Sequence, residues 1–151
     1  MSLYNYIKKF ISKFLSCKKK DKRFYYLSIM ENPENINGYS IHGLWPQYDE
    51  NSYPKFCKEV NFSIEKIETL MEDLKLYWVP HNIKEPSKLW VHEWKKHGSC
   101  IFTDINQYDY FKISLDLYKE IIDKKIIHKK YNKYGTHYLI PVDLNFKLII
   151  E

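Results

Sequence analysis

Ser40-Ile41-His42-Gly43-Leu44-Trp45-Pro46-Gln47 and Trp90-Val91-His92-Glu93-Trp94-Lys95-Lys96-His97-Gly98-Ser99-Cys100 are the two stretches on which this chain turns. Together they hold three histidines and a glutamate beside lysine and tryptophan. Imidazole titrates closer to neutral pH than any other unperturbed side chain. Histidines from two separate segments, one of them flanked by a carboxylate and an ammonium, suit acid–base chemistry at a phosphate ester.

The second stretch reads as a helix, with Ser87 placed to cap it and Gly98 to end it in a left-handed turn. At about 100° per residue, setting His92 at 0° puts Lys96 near 40°, Glu93 near 100° and His97 near 140°. Four reactive groups then share one arc, and Trp94 and Lys95 fall outside it. A lone histidine would read as an ordinary polar residue beside core tryptophans; four groups on one arc and a second histidine motif argue against that. Zinc is also disfavoured. A metalloprotease helix places histidines at i and i+4 with glutamate directly after the first. Here they stand at i and i+5, about 140° apart rather than 40°, too wide for easy chelation of one ion. No metal and no cofactor is expected.

Working outward, Phe24 to Met30 reads as a strand, followed by turn signals at Asn32-Pro33 and Asn37-Gly38. Tyr39 to Gly43 reads as a strand with His42 at its end, and 46–61 as loop. Ser63 is placed to cap a helix reaching about Tyr77, with Ile64, Ile67, Leu70, Met71 and Leu74 on one face. A long helix is expected from Asn106 to about Ile127, turning Phe111, Leu115, Tyr118 and Ile122 inward. Tyr138 to Ile150 reads as extended, with a hairpin as one option. Trp78 and Trp90 read as core. The expected fold class is α+β: an antiparallel sheet with several packed helices. It leaves His42 facing the histidine-bearing helix across a cleft.

The 151 residues suffice for one domain with a real core, and no apolar run is long enough to span a membrane. The net charge of +5 is unevenly placed. Residues 1–23 hold eight Lys/Arg and one Asp, hence +7, and residues 24–151 hold 16 against 18, hence −2. The expected division is therefore a basic N-terminal segment, 1–23, and a domain holding both histidine motifs, 24–151, with no basic field of its own. In the first segment Ile7, Phe10, Ile11, Phe14 and Leu15 recur at helical spacing, with Lys8, Lys9 and Lys13 between them. Those lysines interrupt the apolar stretch that a cleavable signal peptide needs. A basic amphipathic helix in contact with a membrane surface, a helix docked on the domain, a frayed terminus and a degraded signal sequence all stay open here, as does lipidation of Cys17.

IHGLWPQ and HEWKKHGSC resemble the two active-site segments of the ribonuclease T2 family, in the family's order and with family-like spacing. Ser52 to Cys57 resembles the cysteine segment that follows the first motif. The resemblance runs from about Phe24 to about Tyr118. It implies a ribonuclease T2-like fold and an endoribonuclease acting on single-stranded RNA. The implied chemistry is metal-independent transesterification, through a 2′,3′-cyclic phosphate to 3′-phosphate ends. DNA, lacking the 2′-hydroxyl, would not be cut.

Residue by residue, the resemblance implies that His97 is the general base and His42 the general acid. Glu93 and Lys96 would support the phosphorane and orient the base. His92 would bind phosphate, and Trp45 would be an aromatic platform near the nucleobase. It further implies a disulfide between Cys57 and Cys100, leaving Cys17 over, and a C-terminal end shortened relative to the family. A secreted or endomembrane-lumenal location follows by the same resemblance and suits a disulfide, although no clear signal peptide is legible. A monomer is expected. Gln47, Tyr48 and Tyr53 are candidates for a base pocket or for plain surface loop. His81, His128 and His137 lie outside both motifs and receive no role.

Overall fold

Side chains alternate along β1 (Phe24–Glu31), and this alternation sets the layers. Tyr25, Leu27 and Ile29 are fully buried, while Phe24, Tyr26 and Met30 on the other face are only partly covered. The computed structural model describes residues 20–127, 132–134 and 137–150. β1 pairs antiparallel with β2 (Tyr39–Gln47) on one side and with β4 (His137–Val142) on the other. A short β3 (Asn132–Tyr134) pairs with β4, giving the order β2-β1-β4-β3. The amphipathic helix expected around Ile7 to Leu15, Cys17 and His128 all lie outside the described residues.

β2 is longer than expected. It runs through Pro46, and His42 sits mid-strand rather than at its end. Proline is tolerated there because β2 is an edge strand, with one row of backbone groups not needed for the ladder. That edge is covered by helix side chains. The Trp78 indole N–H donates to the His42 carbonyl at 2.8 Å. The Tyr110 hydroxyl donates to the Leu44 carbonyl and accepts from its N–H, at 3.1 and 3.2 Å.

The expected helix from Ser63 forms in two pieces, a 3₁₀ segment Glu65–Leu70 and then α1 (Met71–Tyr77). Ser63 does not cap it. Its backbone N–H and C=O are both taken by the Gln107 side chain, at 2.9 and 2.7 Å. Its hydroxyl turns instead to the Glu65 carboxylate. Ile67, Leu70 and Leu74 are buried as expected, whereas Ile64 is exposed.

α2 (Pro86–Lys96) begins at Glu85 as the N-cap with Pro86 in the first turn, so Ser87 lies inside the helix. Proline suits that position because its missing N–H would be unpaired there anyway. α3 (Gln107–Asp123) starts at Asn106, where a reciprocal capping box with Asp109 is complete. It stops four residues short of Ile127. Its inward face is centred on Phe111, Leu115, Tyr118 and Ile121, and Ile122 is only partly covered. After β4 the chain turns at Asp143 and doubles back, with Val142 bridged to Leu148 and the Ile149 N–H donating to the Pro141 carbonyl at 3.0 Å. Trp78 and Trp90 sit in the core between sheet and helices, the Trp90 N–H donating to the Trp78 carbonyl at 2.8 Å. No helix among the described residues is long and apolar enough to cross a membrane.

Candidate active site

The β1–β2 register slips at His42. Ser28 pairs with Gly43 but Ile29 pairs with Ile41, so His42 is the extra residue of a bulge. A bulge bends the strand and re-aims a side chain, and this one turns the His42 imidazole towards α2. Its Nε2 lies 3.1 Å from Glu93 Oε1. Glu93 is 1% exposed, and the same carboxylate accepts from the Trp45 indole N–H at 2.9 Å and lies 3.8 Å from His97 Nε2. A buried carboxylate needs such partners, since an unpaired charge there would be very costly.

Gly43 explains how the two motifs come so close. A Cβ at this position would lie 2.1 Å from Glu93 Oε2, so only glycine lets the carboxylate reach the strand.

Glu93 and His97 share the inward side of α2, but His97 is the residue after the helix, its N–H still closing the last turn on the Glu93 carbonyl at 2.9 Å. Gly98 is not the left-handed terminator expected. It opens a 3₁₀ turn, Gly98–Cys100, and among the described residues the only glycine at positive φ is Gly38. What excludes a side chain at Gly98 is the Trp94 ring, 2.2 Å from where a Cβ would stand.

His97 is 4% exposed, and its ring stacks on Trp45 with centroids 5.3 Å apart. Burial pushes its pKa down to about 4, against the pull of the Glu93 charge; Lys96, His42 and His92 push in the same direction as burial. Lys96 is half-buried beside it, and His92 is exposed, its ring edge-on to Phe56 at 6.1 Å. The structure thus gathers His42, Trp45, Glu93, Lys96 and His97, and leaves His92 at the rim.

Trp45, Lys96 and His97 open onto a cavity of about 300 Å³. Gln47, Glu50 and Tyr53 line it from β2 and the following loop, and Tyr26 and Leu139 from β1 and β4. Tyr48 is not part of it and packs towards Phe102. The loop is anchored by the Cys57–Cys100 disulfide, with Cα atoms 5.1 Å apart. The Phe56 N–H adds a bond to the Lys96 carbonyl at 2.9 Å. A larger depression of about 630 Å³, between residues 32–36 and 75–84, holds none of these groups. Among the described residues no group of three or more His, Cys, Asp and Glu side chains is arranged to hold a metal ion.

One histidine missed by the motifs joins the cluster. His137, on β4, places Nε2 2.8 Å from His42 Nδ1. A single histidine 95 residues away carries no spacing signal, and only strand pairing brings it here. Tyr26, Glu50 and Leu139 were likewise missed, each being an unremarkable residue until the sheet is assembled.

The Ribonuclease T2 family model matches residues 10–138. The chain belongs to the ribonuclease T2 family. It is 38% identical over 84 residues to Ribonuclease 3 of Arabidopsis thaliana, covering 52% of this chain and 37% of that protein. It is 34% identical over 113 residues to human Ribonuclease T2, covering 70% and 41%. The chain thus spans about two fifths of the length of these curated relatives. Among solved structures, an RNase MC1 mutant in complex with 5′-UMP shares the fold, with a TM-score of 0.67 at 19% identity over 85% of this chain and 92% of that one. The ribonuclease T2-like α+β fold expected from the motifs is the fold observed, and the disulfide implied by the family is present.

Proposed function

We propose that this protein is an endoribonuclease that cleaves single-stranded RNA by metal-independent transesterification, with its catalytic unit in residues 24–151. The observation that carries this is one buried carboxylate, Glu93, touching imidazoles from two different elements, His42 and His97. An acid and a base held on opposite sides of an anion serve proton transfer; a mere binding surface needs neither.

His97 is the general base. With its pKa near 4 it is neutral over most of the pH range and ready to accept a proton. It takes the proton of the ribose 2′-hydroxyl, and the 2′-oxygen forms a bond to the adjacent phosphorus. The bond from phosphorus to the 5′-oxygen breaks, and His42, the general acid, gives its Nε2 proton to that oxygen. The products are a 2′,3′-cyclic phosphate and a 5′-hydroxyl. Water then enters with the two roles exchanged and leaves a 3′-phosphate.

Glu93 stabilises whichever imidazole is charged, and Lys96 offers positive charge as negative charge develops on the phosphoryl oxygens. His92, at the rim one turn before Lys96, binds a neighbouring phosphate. Trp45 and Tyr53 provide aromatic surface for a base in the cavity, with the Gln47 amide beside them. The 5′-UMP held by RNase MC1 supports a nucleotide ligand for this fold.

The test is an RNA oligonucleotide carrying one 2′-deoxy nucleotide. Cleavage on the 3′ side of that nucleotide should vanish while its neighbours are still cut, and an all-DNA strand should stay intact. Cutting at the deoxy position would mean that water attacks phosphorus directly, and the mechanism would be wrong.

A further inference from the structure

His42 and His137 stand on the two strands that flank β1, about 10 Å apart at two strand spacings. Their rings nevertheless meet, with centroids 4.9 Å apart and Nδ1 of His42 2.8 Å from Nε2 of His137. Two features allow this. The bulge at His42 re-aims its ring, and His137 pairs with Met30 of β1, next to the small Ser28 on the same face of that strand.

A contact of 2.8 Å between two ring nitrogens holds one proton, not two. If both rings were imidazolium, two N–H groups would face each other. The pair therefore carries at most one positive charge while the contact lasts. Glu93, at 3.1 Å, keeps a proton on His42 Nε2. When His42 is charged, its Nδ1–H donates to a neutral His137. Which nitrogen of a histidine carries the proton is set by the bond made at the other, so His137 governs the state of His42.

We propose that His137 is the positioning residue for the general acid: it accepts the His42 Nδ1–H bond and holds His42 as the imidazolium whose Nε2–H, resting on Glu93 in the free site, is given to the leaving oxygen. This rests on the ribonuclease reading above. In the step itself His42 gives up the Nε2 proton and keeps the Nδ1 proton, so the bond to His137 survives and returns the ring in place for the next turnover. The other groups around His42 are Glu93 at 3.1 Å on α2, the His97 imidazole just after that helix, and the Trp45 ring edge-on at 5.2 Å.

The experiment compares wild type, His137→Leu and His137→Gln by kcat and KM across pH on a fluorescent single-stranded RNA. The ¹⁵N shifts of the His42 ring are recorded without RNA. His137→Leu removes the acceptor and should lower kcat about tenfold, with KM little changed, as part of the contribution a general acid makes. The ¹⁵N shift of His42 Nδ1 should change in the same variant, because that nitrogen loses its hydrogen-bond acceptor. His137→Gln keeps an acceptor of similar reach and should recover most of kcat; it also carries the test if the leucine variant fails to fold. Wild-type kcat and unmoved His42 ring shifts in His137→Leu, or a glutamine variant as impaired as a folded leucine variant, would overturn the inference while leaving the ribonuclease reading intact. An inactive, folded wild type would instead overturn that reading and this role with it.

Discussion

At the scale of single residues, His97 links burial to chemistry. A histidine in the unfolded chain titrates near 6.5, whereas in the folded site burial holds His97 at about 4. As pH falls below 6.5 the unfolded chain takes up a proton here that the folded site refuses. Stability is therefore lost between about pH 6.5 and pH 4, by about 3 kcal/mol in total. Chemical denaturation across this range should show the loss, and His97→Ala should flatten it; an identical slope in the variant would place the cause elsewhere. His42→Ala and His97→Ala should each cut turnover by roughly 10² to 10⁴ with the fold retained, as expected for a lost acid or base. Near wild-type turnover in either would refute its role. His42, Trp45, Glu93, Lys96 and His97 were legible because the two motifs are local, and helix periodicity puts Glu93 and His97 on one side. His137 was not legible. Its place depends on a pairing between β1 and β4 that no local pattern announces.

At the scale of elements, boundaries moved wherever a tertiary contact outranked a local preference. Ser63 reads as a cap, but Gln107 takes its backbone groups and a 3₁₀ turn forms instead. Gly98 reads as a terminator, but the Trp94 ring is what requires a glycine there. The start of α3 at Asn106 was read correctly, and the capping box with Asp109, only three residues on, fixes it there. The bulge at His42 left no local trace, yet it decides where the imidazole points. Gly43 makes the link between β2 and α2 testable. Gly43→Ala would drive a methyl group into the Glu93 carboxylate, and activity should fall at least as far as in Glu93→Ala. An alanine variant with normal kcat would mean that the carboxylate has room to move. The disulfide ties the cavity loop to the end of α2 over a separation of 43 residues. Cross-linking a loop of that size contributes about 4 kcal/mol in the chain-entropy model. Cys57→Ser should then lower Tm by roughly 10 °C under oxidising conditions. An unchanged Tm would show that the bridge constrains little.

At the scale of the whole molecule, one face of the sheet and one helix divide the work. The core face of β1, β2 and β4 buries Leu27, Ile29, Ile41, Leu44 and Ile140 against α1 and α3. The other face carries His42, Trp45, His137 and the cavity, closed at one side by the end of α2. The α+β class was legible from alternation and helical periodicity alone. The strand order was not, because β4 reaches β1 only after the whole helical stretch has intervened. Residues 24–151 carry a net charge of −2, so the attraction to RNA that the proposed function requires would have to be local, at Lys96 and the histidines, not a property of the domain's field. The central claim is that this cluster cleaves RNA with the ribose hydroxyl as nucleophile and no metal ion. The most direct measurement is a digest of 5′-labelled single-stranded RNA by the purified protein in EDTA, with a His97→Ala control and end-group analysis. Fragments ending in 2′,3′-cyclic phosphate, absent from the control, are the predicted result; intact RNA from the folded wild-type protein, or cleavage that EDTA abolishes, would contradict it.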